Sequence, residues 1–194
     1  MPISENGLLL ETLLLTPCLL PGYTSFKESK ASITVQPQHD ETILFFSIDD
    51  NSNPDCRLRQ RLWGKRAGEE LCDLIVFYAR GSERVLCFVE LKDNIKDLGH
   101  ATAQVTNTYT HFKQHLRLNN YYTAKTFISA FAGSLPQEHQ KYHRKLLTVF
   151  KGENNVESNG KPDELGDFLQ PAALKGNGKV KGGKDRSFRV RHLF

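Results

Sequence analysis

Two apolar runs, "LCDLIVFYAR" over residues 71 to 80 and "RVLCFVELK" over residues 84 to 92, are separated only by "GSE". Runs rich in β-branched and aromatic residues, broken by so short a polar link, predict an antiparallel hairpin. No other stretch of the chain limits its fold as much. A two-residue Gly81–Ser82 loop suits a type II′ turn, because glycine takes the positive φ needed at the first position. Arg80 then pairs with Glu83, and counting outward places Asp73 opposite Glu90. A four-residue loop from Arg80 to Glu83 gives the same register.

Directly opposed residues project to one face, with Cβ atoms about 4.5–5.5 Å apart. Lys92 joins that face because side chains alternate along a strand, while Leu91 points back into the protein. Two carboxylates at that distance repel, and near neutral pH they need a cation between them or one must protonate. Mg²⁺ fits an all-oxygen set, with Mn²⁺ able to substitute, and the Leu91 backbone carbonyl could add a further oxygen. Asp73, Glu90 and Leu91 are therefore the candidate metal ligands. Lys92 would neutralise developing charge, or help hold or deprotonate an attacking water. Such a set is equipped to hydrolyse a phosphodiester. A plainer account is a surface Asp–Glu–Lys cluster in which Lys92 merely offsets two carboxylates. Apolar neighbours Ile75, Phe77 and Phe88 on the same face weigh against it, because a salt bridge at the mouth of a core costs more than it returns.

Around this hairpin the chain reads as one domain over residues 1–152. The pattern of residues 3 to 15 predicts a short core helix with Ser4 as N-cap; the leucine cluster there is interrupted by Glu11 and is shorter than the roughly 20 apolar residues of a bilayer span. Strands follow at 32 to 37 and 42 to 48, joined by a polar turn. The clearest helix covers 97 to 118, with Asp97 as N-cap and an apolar stripe of Leu98, Ala101, Val105, Tyr109, Phe112 and Leu116. A buried strand at 126 to 133 precedes a helix to about 147, opened by Ser134 and Gln137 as a capping box. Cys18, Cys56, Cys72 and Cys87 match no metal or redox spacing and read as reduced residues of a cytoplasmic protein.

The formal charge of +4 is modest, so its placement matters more than its size. Arg57, Arg59 and Arg61 share a side if that segment is extended, and Lys65 and Arg66 prolong the patch. It is either a solvated face or a surface for nucleic-acid phosphates. Residues 153–194 turn to Gly, Asn, Lys and Pro, which predicts a flexible basic arm whose Lys179, Lys181 and Lys184 would contact a nucleic-acid backbone.

The "CD" of "ELCDLIVFY", the "ELK" of "CFVELK" and the following helix "HATAQVTNTY" together resemble the PD-(D/E)xK nuclease superfamily, the restriction-endonuclease-like fold. The likeness covers about residues 70 to 132. It implies an α/β chain with an αβββαβ core, in which a mixed central sheet is flanked by helices. It also implies that Asp73 and Glu90 bind Mg²⁺, that Lys92 serves the attacking water, and that Gln104 supports the site. Cys72 stands where the motif's name has Pro. Thr108, not tyrosine, occupies the fourth position after Gln104, with Tyr109 fifth, which departs from the Q-x-x-x-Y of some exonuclease branches. The family's first helix often adds a Glu, a role open to Glu5 or Glu11. The expected activity is metal-dependent cleavage of nucleic acid, DNA favoured over RNA, in a defence or repair setting and with no membrane partner. A homodimer is implied by the same resemblance, and the basic tail could instead dock the chain to an acidic protein partner in a larger assembly. The competing expectation is a catalytically silent nucleic-acid-binding or scaffold subunit.

Overall fold

The computed structural model describes residues 18–49, 71–115 and 122–170. The expected N-terminal helix with Glu5 and Glu11 lies outside the described residues, as do Arg57, Arg59, Arg61, Lys65, Arg66, Lys179, Lys181 and Lys184. Within the described residues the chain runs through β1 (Leu19–Leu20), β2 (Ser25–Glu28), β3 (Ala31–Thr34), β4 (Glu41–Ser47), β5 (Leu74–Arg80) and β6 (Glu83–Asn94). It continues with α1 (Leu98–His115), β7 (Thr123–Ala132), α2 (His139–Phe150), β8 (Val156–Gly160) and α3 (Leu165–Leu169).

The class is α/β, built on a mixed six-stranded sheet in the order β1-β4-β5-β6-β7-β8. Strands β4, β5 and β6 form an antiparallel meander, whereas β7 and β8 return parallel to β6. Each parallel return needs a crossover, and α1 and α2 supply them. Alternation along the strands divides the core. Ile75, Leu86, Phe88 and Ile128 pack under Leu98, Ala101, Val105 and Phe112 of α1 and under Leu146 and Phe150 of α2. Leu74, Val76, Val85, Cys87, Val89 and Leu91 face the other way, against Ile33 and Val35 of the β2–β3 segment and Leu165 and Leu169 of α3. Both faces are covered, which is why β5 and β6 read as continuous apolar runs.

The hairpin has the predicted register, from Arg80↔Glu83 to Leu74↔Val89. Gly81 carries φ +56° and Ser82 no positive φ, the pattern a type II′ turn requires. Other expectations need correction. The strand expected at 32 to 37 covers Ala31–Thr34 as β3, and it pairs with β2 in a separate two-stranded sheet. Asp97 does not cap α1: a 3-10 turn over Ile95–Asp97 leads into the helix, and the Asn94 side chain accepts the Lys96 N–H at 3.0 Å. The Ser134–Gln137 capping box is not formed, since α2 begins at His139 with Glu138 at its cap and no side-chain cap bond. The fold also passes the boundary drawn at residue 152. Strand β8 buries Val156 and Ser158, and α3 buries Leu165 and Leu169, so folded structure reaches Gln170. Finally, Cys72 and Cys87 are free but Cys18 is disulfide-bonded, against the expectation of four reduced thiols. No helix among the described residues is long and apolar enough to cross a membrane.

Candidate active site

At the end of the hairpin the backbone ladder stops one step before Asp73, and side chains continue it. Had the antiparallel register run on, Cys72 would lie opposite Leu91. Instead the chain turns away: the Cys72 N–H donates to Thr108 Oγ1 of α1 at 2.9 Å, and Thr108 in turn donates to the Gln104 carbonyl at 2.8 Å. The Leu91 N–H, left without a strand partner on that side, donates to Asp73 Oδ2 at 2.7 Å. Reciprocally, the Asp73 N–H donates to Glu90 Oε2 at 3.1 Å. Each carboxylate thus takes a backbone proton from the strand opposite its own. In an extended strand the N–H and C=O of one residue point to the same edge, so the Leu91 carbonyl also faces the gap β5 has left.

Lys92 and Gln104 complete the cluster. Lys92 Nζ donates to Gln104 Oε1 at 2.6 Å and lies 2.5 Å from Glu90 Oε1. The second contact is a buried ion pair, so Lys92 is the partner of Glu90 Oε1 while Glu90 Oε2 takes the Asp73 N–H. Gln104 Nε2 donates to the Leu71 carbonyl at 2.8 Å, which fixes the amide so that its oxygen faces Lys92. Glu90 is fully buried, and Asp73 and Gln104 are only 8% and 7% exposed. Leu91 is buried on the opposite face, as alternation predicted.

The electrostatics are those of two acids that resist ionising. Burial pushes the Glu90 carboxyl well above its ordinary range, and the charge of Asp73 pushes it further, against Lys92 and the Asp73 N–H. Burial likewise raises Asp73 to about 7, opposed by the Leu91 N–H and Lys92 and assisted by Glu28 and Asp49. One lysine faces two carboxylates here. An acidic pair in this state either keeps a proton or takes up a cation. The donors on offer, Asp73, Glu90 and the Leu91 carbonyl, are all oxygen. That set fits a hard divalent ion. Among the described residues no three His, Cys, Asp or Glu side chains form a ready-made metal cluster, so backbone oxygen and water would have to complete the shell.

The structure therefore brings Asp73, Glu90, Lys92 and Gln104 together, with Leu91 between. His100 is exposed on α1. Tyr109 belongs to the core, stacked on Phe150 at 4.8 Å and edge-on to Phe88 at 5.4 Å. Sequence reasoning missed the part of Thr108, although its position four after Gln104 puts both on one helix face. It also missed Asp93. That carboxylate, next to Lys92, accepts the Ser29 hydroxyl and the Lys30 N–H, each at 2.9 Å, and so ties the β2–β3 turn to the end of β6. A cavity of about 270 Å³ bounded by Val35, Glu41, Asp167 and Gln170 is lined by none of the site residues.

Comparison of the chain with family models, with curated proteins and with solved structures gives no match.

Proposed function

We propose that the protein is a metal-dependent nuclease whose Asp73, Glu90 and Lys92 cleave phosphodiester bonds, DNA being the favoured substrate. One observation carries the reading. Two buried carboxylates, each anchored by the other strand's backbone, share a single lysine. A module that only had to fold would gain from apolar residues there, because a buried ionic cluster rarely exceeds its desolvation cost. The order β4–β5–β6–α1–β7 accords with the αβββαβ core of the restriction-endonuclease-like fold, whose first helix would fall outside the described residues.

A divalent cation held by Asp73, Glu90 and the Leu91 carbonyl would supply the positive charge that offsets both acids and the reacting phosphate. The remaining work belongs to the chain. Asp73 and Glu90 are pre-positioned by backbone N–H groups, so little reorganisation is needed on loading. Lys92, held between Glu90 and the Gln104 amide, would help hold or deprotonate an attacking water. Gln104 is a positioning residue: it sets Lys92 while its own amide is fixed to Leu71. The Arg57, Arg59, Arg61, Lys65 and Arg66 segment and the tail lysines Lys179, Lys181 and Lys184 would contact the nucleic-acid backbone. Binding should then weaken steeply with salt.

The test is cleavage of plasmid, linear duplex and single-stranded DNA and of RNA with Mg²⁺, Mn²⁺ or EDTA, beside Asp73→Asn and Lys92→Ala. Cleavage that needs the metal and both side chains supports the proposal. Binding without cleavage under every condition would replace it with a silent nucleic-acid-binding or scaffold subunit.

A further inference from the structure

Phe131, near the end of β7, is 63% exposed. A single exposed ring is ordinary, but the place of this one is not. The β6–β7 register pairs Lys92 with Ala130 and Asn94 with Ala132, so Phe131 stands beside Asp93, one residue past the lysine of the candidate site. Ala130 packs with the α1 layer, and alternation turns Phe131 to the other side of the sheet, that of Leu91 and the β2–β3 turn. With strands about 4.8 Å apart and a rise of about 3.3 Å per residue, two strand spacings and two residues put its Cα about 12 Å from the gap between Asp73 and Leu91. A stacked strand of nucleic acid, at about 3.4 Å per nucleotide, covers that span in about three or four nucleotides.

Two exposed lysines flank the ring. Both oxygens of Asp93 are committed to the β2–β3 turn, accepting the Ser29 hydroxyl and the Lys30 N–H, and this holds Lys30 on the ring's side of the sheet. The turn that follows β7 is seated on the loop that follows β6. Gly133 has φ +110°, and a Cβ there would collide with Asn94 Oδ1 and stand 3.0 Å from Ile95 Cγ2. Asn94 Oδ1 also accepts the Lys96 N–H, so Lys96 is fixed beside the same turn. Of the acids at this end of the sheet, Glu28 lies toward Asp73, whose carboxyl its charge helps to push up, and Asp97 stands at the start of α1.

We propose that Phe131 stacks on an unpaired nucleobase of the substrate, with Lys30 and Lys96 on the flanking phosphates, so that the site takes single strands in preference to paired duplex; the proposal rests on the nuclease reading for the place of the scissile phosphate. Within a duplex both faces of a base are covered by its neighbours, whereas an unpaired base leaves a face open to a ring. Every base has such a face, so stacking holds a strand without reading its sequence. An apolar protein surface would also cover the ring, but it would have to desolvate the two ammonium groups beside it.

The experiment uses the full chain, with a thymidine oligonucleotide of about 15 residues as the probe, alone and paired with its complement. Fluorescence anisotropy in EDTA reads binding, and kcat and KM with Mg²⁺ read cleavage. Phe131→Ala should weaken single-strand binding about tenfold and duplex binding less than about twofold. Phe131→Leu should behave like the Ala variant, and Phe131→Trp should restore binding. In cleavage the loss should fall on KM for the single strand and leave kcat nearly unchanged. Lys30→Ala and Lys96→Ala should each lower the salt slope of single-strand binding by about 0.7. Unchanged single-strand binding in Phe131→Ala, an equal loss on the duplex, or full retention in Phe131→Leu would overturn the proposal. A wild type that cleaves both substrates alike and is indifferent to Phe131 refutes the stacking and leaves the nuclease. One that binds single strands through Phe131 yet cleaves nothing with any metal refutes the nuclease and leaves the stacking.

Discussion

Replacing Asp73 by Asn should make the metal-free protein more stable at pH 8 while abolishing cleavage. Burial raises the Asp73 carboxyl from 3.8 to about 7. Well below pH 3.8 the acid is protonated in folded and unfolded chains alike. Between there and about pH 7 the folded chain keeps a proton that the unfolded chain has lost, so stability falls as pH rises. Above that window the full cost of a buried carboxylate is present. At about 1.4 kcal/mol per pH unit, the rise amounts to about 4 kcal/mol. Asn cannot ionise, and its Oδ1 can still accept the Leu91 N–H. Removing the Asp73 charge also relieves Glu90, whose own carboxyl it pushes up. The expected gain is about 2–4 kcal/mol at pH 8, shrinking toward zero near pH 4. Urea unfolding of both proteins in EDTA at pH 4, 6 and 8 measures it, with the denaturant slope as a check that the unfolded ensembles match. If the Asn protein were less stable at pH 8, or if its advantage did not change with pH, the account of Asp73 as an acid held against its preference would fail. Saturating Mg²⁺ at pH 8 should stabilise the wild type and leave the Asn protein nearly unmoved.

Lys92→Ala removes the cation beside a fully buried Glu90. In EDTA at pH 8 it should lose about 3 kcal/mol by urea unfolding, and the loss should shrink as pH falls and the raised Glu90 carboxyl takes up a proton. Gly160→Ala would drive a Cβ into the Phe127 ring and to 2.8 Å from Glu157 Cγ, so a loss of about 2 kcal/mol is expected in thermal unfolding. A midpoint within a degree of wild type would show that β8 can shift aside. Lys125 is buried and its ammonium donates to the Phe168 carbonyl at 2.6 Å and the Gln170 carbonyl at 3.3 Å, at the end of α3. Lys125→Met should leave those carbonyls unpaired and speed hydrogen exchange across α3 while β5 and β6 keep their protection. Uniform acceleration in all three would mean that α3 does not open on its own.

The parts of this fold that sequence could supply are those fixed by neighbours along the chain. A turn sets a hairpin's register, so Gly81 was enough to bring Asp73 against Glu90, and alternation was enough to put Lys92 beside Glu90 and Leu91 behind them. What the chain does at Cys72 is not local. The strand ends because its next N–H finds Thr108, 36 residues away on α1, and this departure turns two facing acids into an interlocked pair. Strand β2 escaped notice for a similar reason: "SFKE" has little β character, and its turn places Ser29 at φ +51°, a conformation braced by Asp93, 64 residues away. Strand β8, "VESNG", reads as a loop because its inward Ser158 is polar, and only the histidines of α2 make that burial tolerable. In each case the residue that overrides local preference is polar and held by a partner outside its own element. Gln104 is intermediate: family resemblance pointed to it, and its reach to both Leu71 and Lys92 gives the physical reason. A side chain that must anchor one strand end and aim a lysine from another has no local signature, because its role exists only once the helix has packed across the sheet.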